Sequence, residues 1–462
     1  MIYVHVPFCR SFCTYCGFYS ELCSRKETQQ VHNRLFGDYA EALCEEIASR
    51  QEEISAARSE NAPDVPAAPD TLYIGGGTPS VLPLPVLERI VKALGPATYE
   101  EFTVEVNPDD VVAGGPEYVA GLRALGVNRV SMGVQSFDDG ILRWMNRRHD
   151  AAGAREAFRL LRACDFDNIS IDLIFGLSQL SEEAWSCTVR EALALRPEHI
   201  SAYQLSIEED SALERMVSNG RYAEASDEQC RSQYDTLCRM LADAGYVHYE
   251  ISNWARPGRE AVHNSAYWRR VPYVGLGPGA HSFSSVLHSL PSDTPFITPG
   301  FRSWNSQDLP RREAGGRLVR WRAEQEVLSA AEAAEETIML GLRTASGLPL
   351  ATLRSLSPSA PIDTLISEGA LQLIPSSLNT PTSLNTPASL SSSAVLPSLA
   401  FPASPSSLAS TASPSPFFSP ASSVAPTSPS VSATYPTEDT LFVRIPEDHF
   451  FVSDDIIAQL LP

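Results

Sequence analysis

Three cysteines, Cys9, Cys13 and Cys16, stand within the run CRSFCTYC, while the other six of the nine are scattered along the chain. Thiolates hold zinc or iron–sulfur clusters. A closed structural zinc site takes four ligands, and no further Cys or His stands at finger spacing. Three thiols at i, i+4 and i+7 on one loop suit a cubane cluster with one iron left open to a substrate or cofactor. The competing readings are three incidental loop thiols, or a zinc site completed by His5.

GGGTP, Gly75–Pro79, is the second chemical signal. Consecutive glycines let a backbone approach a ligand closely, and their N–H and C=O groups can pair with an amino or carboxylate group. The bland alternative is a plain strand-to-helix turn. Glu105 and Asp172 suit a sugar's hydroxyls or an ammonium group. Gln135 and Arg147 suit a carboxylate or hydroxyl. Each of these four, taken singly, reads equally well as surface polarity at a strand end.

What raises them together is where the elements place them. Ile2–Val6 alternates, is β-rich and ends at Pro7, so it reads as a first strand with the cysteines in the loop after it. Strands are expected at TLYIGGG, FTVEVNP, NRVSMGVQS, NISIDLIFG and HISAYQLS. Helical patterns fall between them, at 27–57, 85–94, 117–125, 139–145, 151–163 and 181–195, with another at 227–244. Six strands alternating with helices predict a parallel α/β fold, a partial (β/α)6 TIM-like barrel. The candidate polar residues close successive strands: the cysteines after the first, GGGTP after the second, then Glu105, Gln135, Asp172 and Tyr203–Gln204. In α/β barrels that end carries the active site, because its loops converge on one mouth.

The totals bound the rest. With 462 residues, 43% of them hydrophobic, the chain can build one large domain and a smaller one. A net charge of -21 argues against a nucleic-acid footprint. MIYVHVPFC has no signal-peptide pattern and no apolar run reaches membrane-spanning length, so a cytoplasmic protein without a membrane span is expected. In that reducing compartment clustered cysteines point to metal or redox chemistry rather than disulfides. From Gly369 to Thr437 there is no Asp, Glu, Lys or Arg, and SLNTP occurs twice. Such a Ser/Pro/Thr-rich stretch cannot bury enough apolar surface to offset its ordering entropy, and disorder is expected there. The expected organisation is a barrel over 1–285, the first part of a small C-terminal domain over 286–374, the low-complexity insertion over 375–437, and the end of that domain over 438–462.

These motifs together resemble the radical S-adenosylmethionine (SAM) superfamily. CxxxCxYC matches its signature, and GGGTP matches the glycine motif that meets the methionyl amino group. YVHVPFC, VEVNP, RVSMGVQSF, NRRH, IDLIFGL and ISAYQLSIE narrow the resemblance to the branch containing the oxygen-independent coproporphyrinogen dehydrogenase HemN and its relative HemW. It covers about residues 1–350 and the closing segment. The resemblance implies a [4Fe-4S] cluster held by Cys9, Cys13 and Cys16, with SAM chelating the fourth iron and cleaved by one electron to methionine and a 5′-deoxyadenosyl radical. It implies that Tyr3 and Tyr15 line the cofactor, that Gly76, Gly77 and Thr78 take its methionyl end, and that Glu105, Gln135, Arg147 and Asp172 complete the SAM pocket, with Asp172 on the ribose.

Three features separate the two groups. The dehydrogenases carry a further cysteine two places after the third, where this chain has Phe18. They carry an N-terminal extension for which this sequence has no room. HNSAYW at His263–Trp268 matches the HNxxYW motif typical of the HemW-like group. Members of that group are described as heme chaperones, which bind heme and pass it to an acceptor, so heme and an unidentified heme-accepting protein are the implied partners. His263 offers an imidazole for heme iron, and Tyr267 and Trp268 offer flat faces for a porphyrin. The bland reading is a buried histidine with core aromatics. His5 and His281 are rival ligands. The alternative function is radical decarboxylation of coproporphyrinogen III propionates. A further reading, radical methyl transfer coupled to heme breakdown, has no motif in its favour. The segment EETIMLGLRTASGLPL is expected to open a helical, winged-helix-like domain, read as a lid on the barrel.

Overall fold

The computed structural model describes residues 1–23, 28–59, 69–285, 300–314, 316–376 and 441–462. Its frame is a nine-stranded sheet. In chain order the strands are β1 (Ile2–Val6), β2 (Thr71–Gly76), β3 (Glu101–Val106), β4 (Arg129–Gln135), β5 (Ile169–Phe175), β6 (His199–Gln204), β7 (Val247–Glu250), β8 (Asn253–Ala255) and β9 (Val274–Leu276). The spatial order is β9-β1-β2-β3-β4-β5-β6-β8-β7. All neighbours from β9 to β6 are parallel, and β8 turns back antiparallel to β6 and β7. The six expected strands are present in the expected order. Val274–Leu276 adds a seventh parallel strand, too short to announce itself in the sequence.

Helices cross between the strands. α1 (Gln29–Ser49) and α2 (Gln51–Ser59) divide at Arg50 what the sequence reads as one helix. Next come α3 (Leu84–Ala93) and α4 (Pro108–Ala124). α4 begins well before the expected residue 117, because Pro108 opens its first turn, where a missing N–H costs nothing. Gly114, Gly115 and Pro116 punctuate the sequence there, and Gly115 takes φ 63, so the helix kinks rather than stops. α5 (Asp139–Trp144), α6 (Ala151–Ala163), α7 (Glu182–Leu195), α8 (Ala212–Ser218) and α9 (Asp227–Asp243) complete the outer layer. Apolar residues at alternate strand positions, such as Leu72, Ile74, Phe102, Val104, Val130, Met132, Ile171 and Leu173, pack outward in the main hydrophobic core.

The inward set is different. Tyr73, Thr103, Glu105, Arg129, Ser131, Ser170, Asp172, His199, Ser201 and Tyr203 alternate with those apolar residues and face the lumen. Barrel interiors are ordinarily filled with branched apolar side chains, so this lumen is polar along its height.

After the barrel, β10 (His281–Ser285) pairs with β11 (Gly300–Asn305), and β11 with β12 (Ala323–Val327), as an antiparallel sheet. The expected domain boundary at residue 285 follows β10, which pairs with β11 on one side and bridges through Phe283 to Tyr273, just before β9, on the other. The C-terminal part runs α11 (Ala330–Leu342), β13 (Leu348–Pro349), α12 (Leu350–Leu356), α13 (Ile362–Ser367), β14 (Gln372–Pro375), β15 (Leu441–Arg444) and α14 (Ser453–Ala458). Its three strands form one sheet in the order β13-β15-β14. This helix–strand–helix–helix–strand–strand order is winged-helix-like, as expected. Ile338, Leu342, Leu353, Val443, Ile445, Phe450, Ile457 and Leu460 join its pieces to the main core. The low-complexity stretch, apart from its first two residues, lies outside the described residues, so its expected disorder is not described. It enters between β14 and β15, which pair from Gln372↔Arg444 to Pro375↔Leu441.

Candidate functional site

The cysteine loop leaves β1 and is pinned at its base. Phe8–Cys9 pairs in parallel with Glu21–Leu22, and Cys23 N–H donates to Cys9 C=O at 2.8 Å. Its far side hangs on two other βα connections. Thr14 N–H donates to Met145 C=O (3.1 Å), Thr14 Oγ1 to Trp144 C=O (2.8 Å), and Asn146 Nδ2 to Phe12 C=O (2.7 Å). Leu213 N–H, in the first turn of α8, donates to Thr14 C=O at 2.8 Å. Gly17 sits so close to Glu208 that an added Cβ would lie 2.6 Å from the Glu208 Cβ.

Opposite the thiols lies the glycine turn. Gly76 takes φ 111, and a Cβ there would lie 2.6 Å from the His5 ring. At Gly77 a Cβ would meet the Phe8 carbonyl oxygen at 2.8 Å. Only glycine lets this strand end cross behind the cysteine loop. Thr78 Oγ1 then reaches Cys9 Sγ at 3.3 Å.

Arg147 is placed by the caps on either side of it. Asp138 caps α5 through Gly140 and Ile141 N–H, and Asp150 caps α6 through Gly153 N–H, which leaves a short linker with Asn146 at φ 58. From that linker Arg147 Nη1 donates to Cys13 Sγ (3.3 Å), and Nη2 donates to Asn107 Oδ1 (2.6 Å) and Gly133 C=O (2.5 Å). Gln135 ends β4 at φ 68, beside a register shift between Gly133 and Gln135, so its side chain turns into the mouth.

Glu105 accepts from Tyr73 OH (2.8 Å) and Gly76 N–H (3.1 Å). Burial pushes its carboxyl up to about 7. Asp172 accepts from Ser131 Oγ at 3.3 Å, and burial raises it too.

One cavity of about 920 Å³ gathers these groups. Cys9, Cys13, Tyr15, Cys16, Gly76, Gly77, Thr78, Glu105, Gln135, Arg147 and Asp172 all line it. The structure thus brings together every residue expected for cluster and SAM except Tyr3. Tyr3 stands one layer back, its OH 2.9 Å from His5 Nδ1. Its neighbour on the lumen wall, Tyr73, lines the cavity instead.

The residues fit the implied cofactors. Among the described residues no three His, Cys, Asp or Glu side chains converge to hold one metal ion. A cubane cluster needs no such convergence, because each thiolate takes a different iron. The zinc alternative loses its fourth ligand. His5 is buried, with Nδ1 against Tyr3 and Nε2 3.2 Å from the Tyr19 carbonyl. Burial pushes Cys16 up to about 11 and raises Cys9, which favours the neutral thiols, whereas a bound iron would favour the thiolates. Around the open edge stand a carboxyl group, a guanidinium and glycine backbone, the donor and acceptor set for an amino acid end.

Sequence reasoning missed the brace behind the mouth. Arg148 pairs with Asp109 (2.5 Å), and Asp110 accepts from Arg10 (3.1 Å) and Ser80 (3.0 Å). These contacts tie the cysteine loop to α4 and the Arg147 linker. NPDD directly after a strand was the available signal, since acidic residues in a first helical turn offer carboxylates toward the strand ends. It also missed the lower lumen residues, which the alternation of polar and apolar residues in parallel strands announces.

The heme expectation at His263 needs correction. α10 (Val262–Trp268) lies under the N-terminal ends of β2 and β3. His263 is 1% exposed, with Nδ1 2.7 Å from Thr71 Oγ1 and Nε2 2.8 Å from Tyr267 OH. Both ring nitrogens are engaged, so neither is open to an iron. Tyr267 stands edge-on between His263 and Tyr273, and the Arg343 guanidinium lies 4.1 Å over the Trp268 ring. The motif closes the barrel floor, and both His263 and Tyr267 are taken up in that packing. Of the rival ligands, His5 is equally engaged, and His281 is exposed, stacked on Trp304.

The radical SAM superfamily model matches residues 3–192. A heme chaperone HemW of Synechocystis is 33% identical over 363 residues, 77% of this chain and 80% of that protein. The chain belongs to the HemW family of radical SAM proteins. A zebrafish protein, radical S-adenosyl methionine domain-containing protein 1, mitochondrial, is 30% identical over 80% of this chain and 78% of its own. The HemW of Escherichia coli is 33% identical over 61% of this chain. Among solved structures, coproporphyrinogen III oxidase HemN of E. coli shares the fold, with a TM-score of 0.58 over 80% of this chain and 84% of its own at 22% identity. A [4Fe-4S] cluster and SAM are therefore the cofactors that the family implies. Among the described residues no helix is long and apolar enough to cross a membrane.

Proposed function

We propose that this protein is a heme chaperone that binds heme and delivers it to an acceptor protein while carrying a SAM-coordinated [4Fe-4S] cluster. The observation that carries the reading is the match to proteins named heme chaperone HemW across most of both chains. Phe18 supports it: it occupies the position of the dehydrogenases' extra cysteine and is 77% exposed at the mouth. The proposed location is cytoplasmic, a reducing compartment in which clustered thiols serve metal chemistry.

In this reading Cys9, Cys13 and Cys16 hold the cluster, which with SAM supplies one-electron cleavage of a sulfonium when both are bound. Arg147 orients the cofactor's carboxylate and, through Cys13, fixes the loop. Glu105, in its ionised form, accepts from the cofactor's ammonium, and that added charge favours ionisation of a carboxyl otherwise poised near neutrality. Gly76 and Gly77 admit the backbone contact, Thr78 holds Cys9, and Asp172 and Gln135 receive the ribose hydroxyls. Tyr15 closes the side of the pocket against water.

The heme ligand in this proposal is His281, the exposed member of the three candidate histidines. Its stacking on Trp304 holds the imidazole at a fixed angle, with ring centroids 5.9 Å apart.

The test uses anaerobically purified, cluster-reconstituted protein. Hemin is titrated by absorbance, and coproporphyrinogen III turnover is assayed in parallel with SAM and dithionite. Saturable heme binding near one per chain without porphyrin product supports the chaperone. Formation of protoporphyrinogen overturns it in favour of the dehydrogenase.

A further inference from the structure

A sheet edge is a row of unpaired N–H and C=O groups, and this fold covers most of its edges. β7, at one end of the nine-stranded sheet, is bridged at Glu250 by Thr344, and Ala345 N–H donates to Tyr249 C=O at 3.0 Å. At the other end Ser282 Oγ accepts from Gly275 N–H of β9 at 2.9 Å. The outer side of β10 is closed through Phe283, which exchanges two backbone bonds with Tyr273. In the C-terminal sheet the outer strands β13 and β14 are short, and each ends in proline.

β12 is the exception. Among the described residues it pairs with β11 on one side only, and all five of its residues are exposed. Ladder direction shows which groups are open. The bonds that flank the pair, Leu328 N–H to Gly300 C=O (2.8 Å) and Ser306 N–H to Arg322 C=O (2.7 Å), use the even-numbered residues on this side. Antiparallel strands alternate bonded and non-bonded pairs, so Glu324 and Glu326 turn their backbone groups to β11, while Ala323, Gln325 and Val327 turn theirs outward. Those three make no outward backbone hydrogen bond to another described residue. Val327 is 64% exposed, more than any other large apolar side chain among the described residues except Phe18.

The side chains choose the occupant. Glu324 and Glu326 stand on one face, both exposed, and Glu326 reaches a cation, Arg302, only at 4.0 Å. Arg302 is already paired with Glu336. A second copy fits badly. The two-fold antiparallel register that pairs all five residues sets the two glutamates of one copy against those of the other, and like charges directly opposite are destabilising. Moving the axis by one residue still sets one glutamate against its own counterpart. A basic strand fits well: lysine or arginine at two alternate positions meets both carboxylates, with an apolar residue opposite Val327. His281, Trp304 and Glu324 lie in one row across the three strands. An added strand continues that row about 14 Å from His281, three strand spacings away.

We propose that the open edge of β12 is a docking site for an extended basic segment of a partner protein, which joins this sheet as a further strand. Docking does not depend on heme. That the partner is the heme acceptor, seated beside His281, rests on the chaperone reading.

The probe is a fluorescent, end-capped peptide, Thr-Val-Lys-Thr-Lys-Val-Thr, titrated by anisotropy into the full, cluster-reconstituted chain without heme. One comparison peptide has both lysines replaced by glutamate. The other is methylated on both valine nitrogens, which keeps the charges and removes two backbone donors. The expected result is saturable binding of the probe and of neither comparison peptide. Glu324→Lys should weaken it about fivefold, as exchange of one favourable cross-strand pair for a like-charged one does. Gln325→Pro removes an N–H that points away from β11, so the ladder stays while binding is lost. If the proline variant fails to fold, the peptide set and Glu324→Lys decide. Absence of saturable binding, equal binding of the methylated peptide, or binding unchanged in the folded variants would each overturn the proposal. Equal binding of the methylated peptide would mean plain attraction to an acidic chain. Dimerisation in sedimentation that Gln325→Pro abolishes would give the edge to a second copy and overturn it too. Hemin titration of the same sample is read separately, so failure of the chaperone reading and failure of the docking site are told apart.

Discussion

Arg147 donates to the thiol of Cys13 at 3.3 Å across 134 residues of sequence. The same guanidinium holds Asn107 and the Gly133 carbonyl with its other nitrogen. One side chain thus joins the cysteine loop to the ends of β3 and β4. In the proposed SAM site it is the group that would meet the cofactor's carboxylate.

The planar fork is what makes those contacts simultaneous, and lysine cannot reproduce it. Arg147→Lys should fold and take up iron and sulfide, but bind SAM about tenfold more weakly, the loss expected for one charge-assisted hydrogen bond. Equilibrium dialysis of SAM against the reconstituted variant measures it. An affinity equal to wild type would remove Arg147 from the SAM site.

Histidine substitutions separate the barrel floor from the heme ligand. His263→Ala breaks a buried hydrogen bond to Thr71 and a partly buried one to Tyr267, and should destabilise the protein by about 2 kcal/mol while leaving hemin affinity intact. His281→Ala removes an exposed imidazole and should abolish saturable hemin binding with little change in stability. Denaturant midpoints and hemin titrations on both variants give the four numbers needed. Heme binding lost in His263→Ala at unchanged stability would reverse the assignment.

The parallel barrel and its mouth were legible because residues that line the mouth close the strands, and strand ends are fixed by pattern. Cys9, Gly76, Glu105, Gln135 and Asp172 were found that way. Tyr3 was not: two tyrosines face the lumen on neighbouring strands in register, Tyr3 and Tyr73, and a sequence does not say which one is nearer the ligand. His263 was misjudged because its partners, Thr71 and Tyr267, come from a strand start and from the next turn of its own helix. A motif on a helix of seven residues gives no sign of which face is buried. The floor of the lumen was hidden for a similar reason. Arg129 opens a strand, and at that end a polar residue reads as solvated.

Buried histidines set the acid limit of the apo protein. Burial lowers His263 to about 3, and His149 and His248 to about 4, against an ordinary value of 6.5. Below pH 6.5 the unfolded chain gains protons that the native state refuses, so these groups make stability fall with pH down to about 4. Glu105 works the other way. Its folded value of about 7 lies above the ordinary 4.5, so its protonation favours the native state at low pH, a gain that is lost as pH rises through 7. His5 is likewise lowered to about 4 and His199 well below its ordinary value, so five histidines outweigh Glu105 and the raised Asp172 carboxyl, and the net loss between pH 6.5 and 5 should be on the order of a few kcal/mol. Denaturant unfolding across that range should show stability rising with pH, with a shallower slope in His248→Gln. A flat profile would mean that the histidines are protonated in the fold.

The low-complexity insertion enters at the tip of the β14–β15 hairpin, where the flanking strands already pair. Loop-closure cost grows only with the logarithm of length, so a long insertion at such a point weakens a domain little. Replacing residues 377–440 with a four-residue Gly/Ser turn should leave the strand pairing intact and raise stability by about 2 kcal/mol, the closure entropy returned by four halvings of the loop. SAM and hemin affinities should be unchanged, since the residues assigned to both lie in the barrel and on β10. Thermal unfolding and the two titrations on the shortened chain test this together. A large loss of stability would show that the insertion packs on the domain, and a loss of hemin binding alone would give it a part in holding heme.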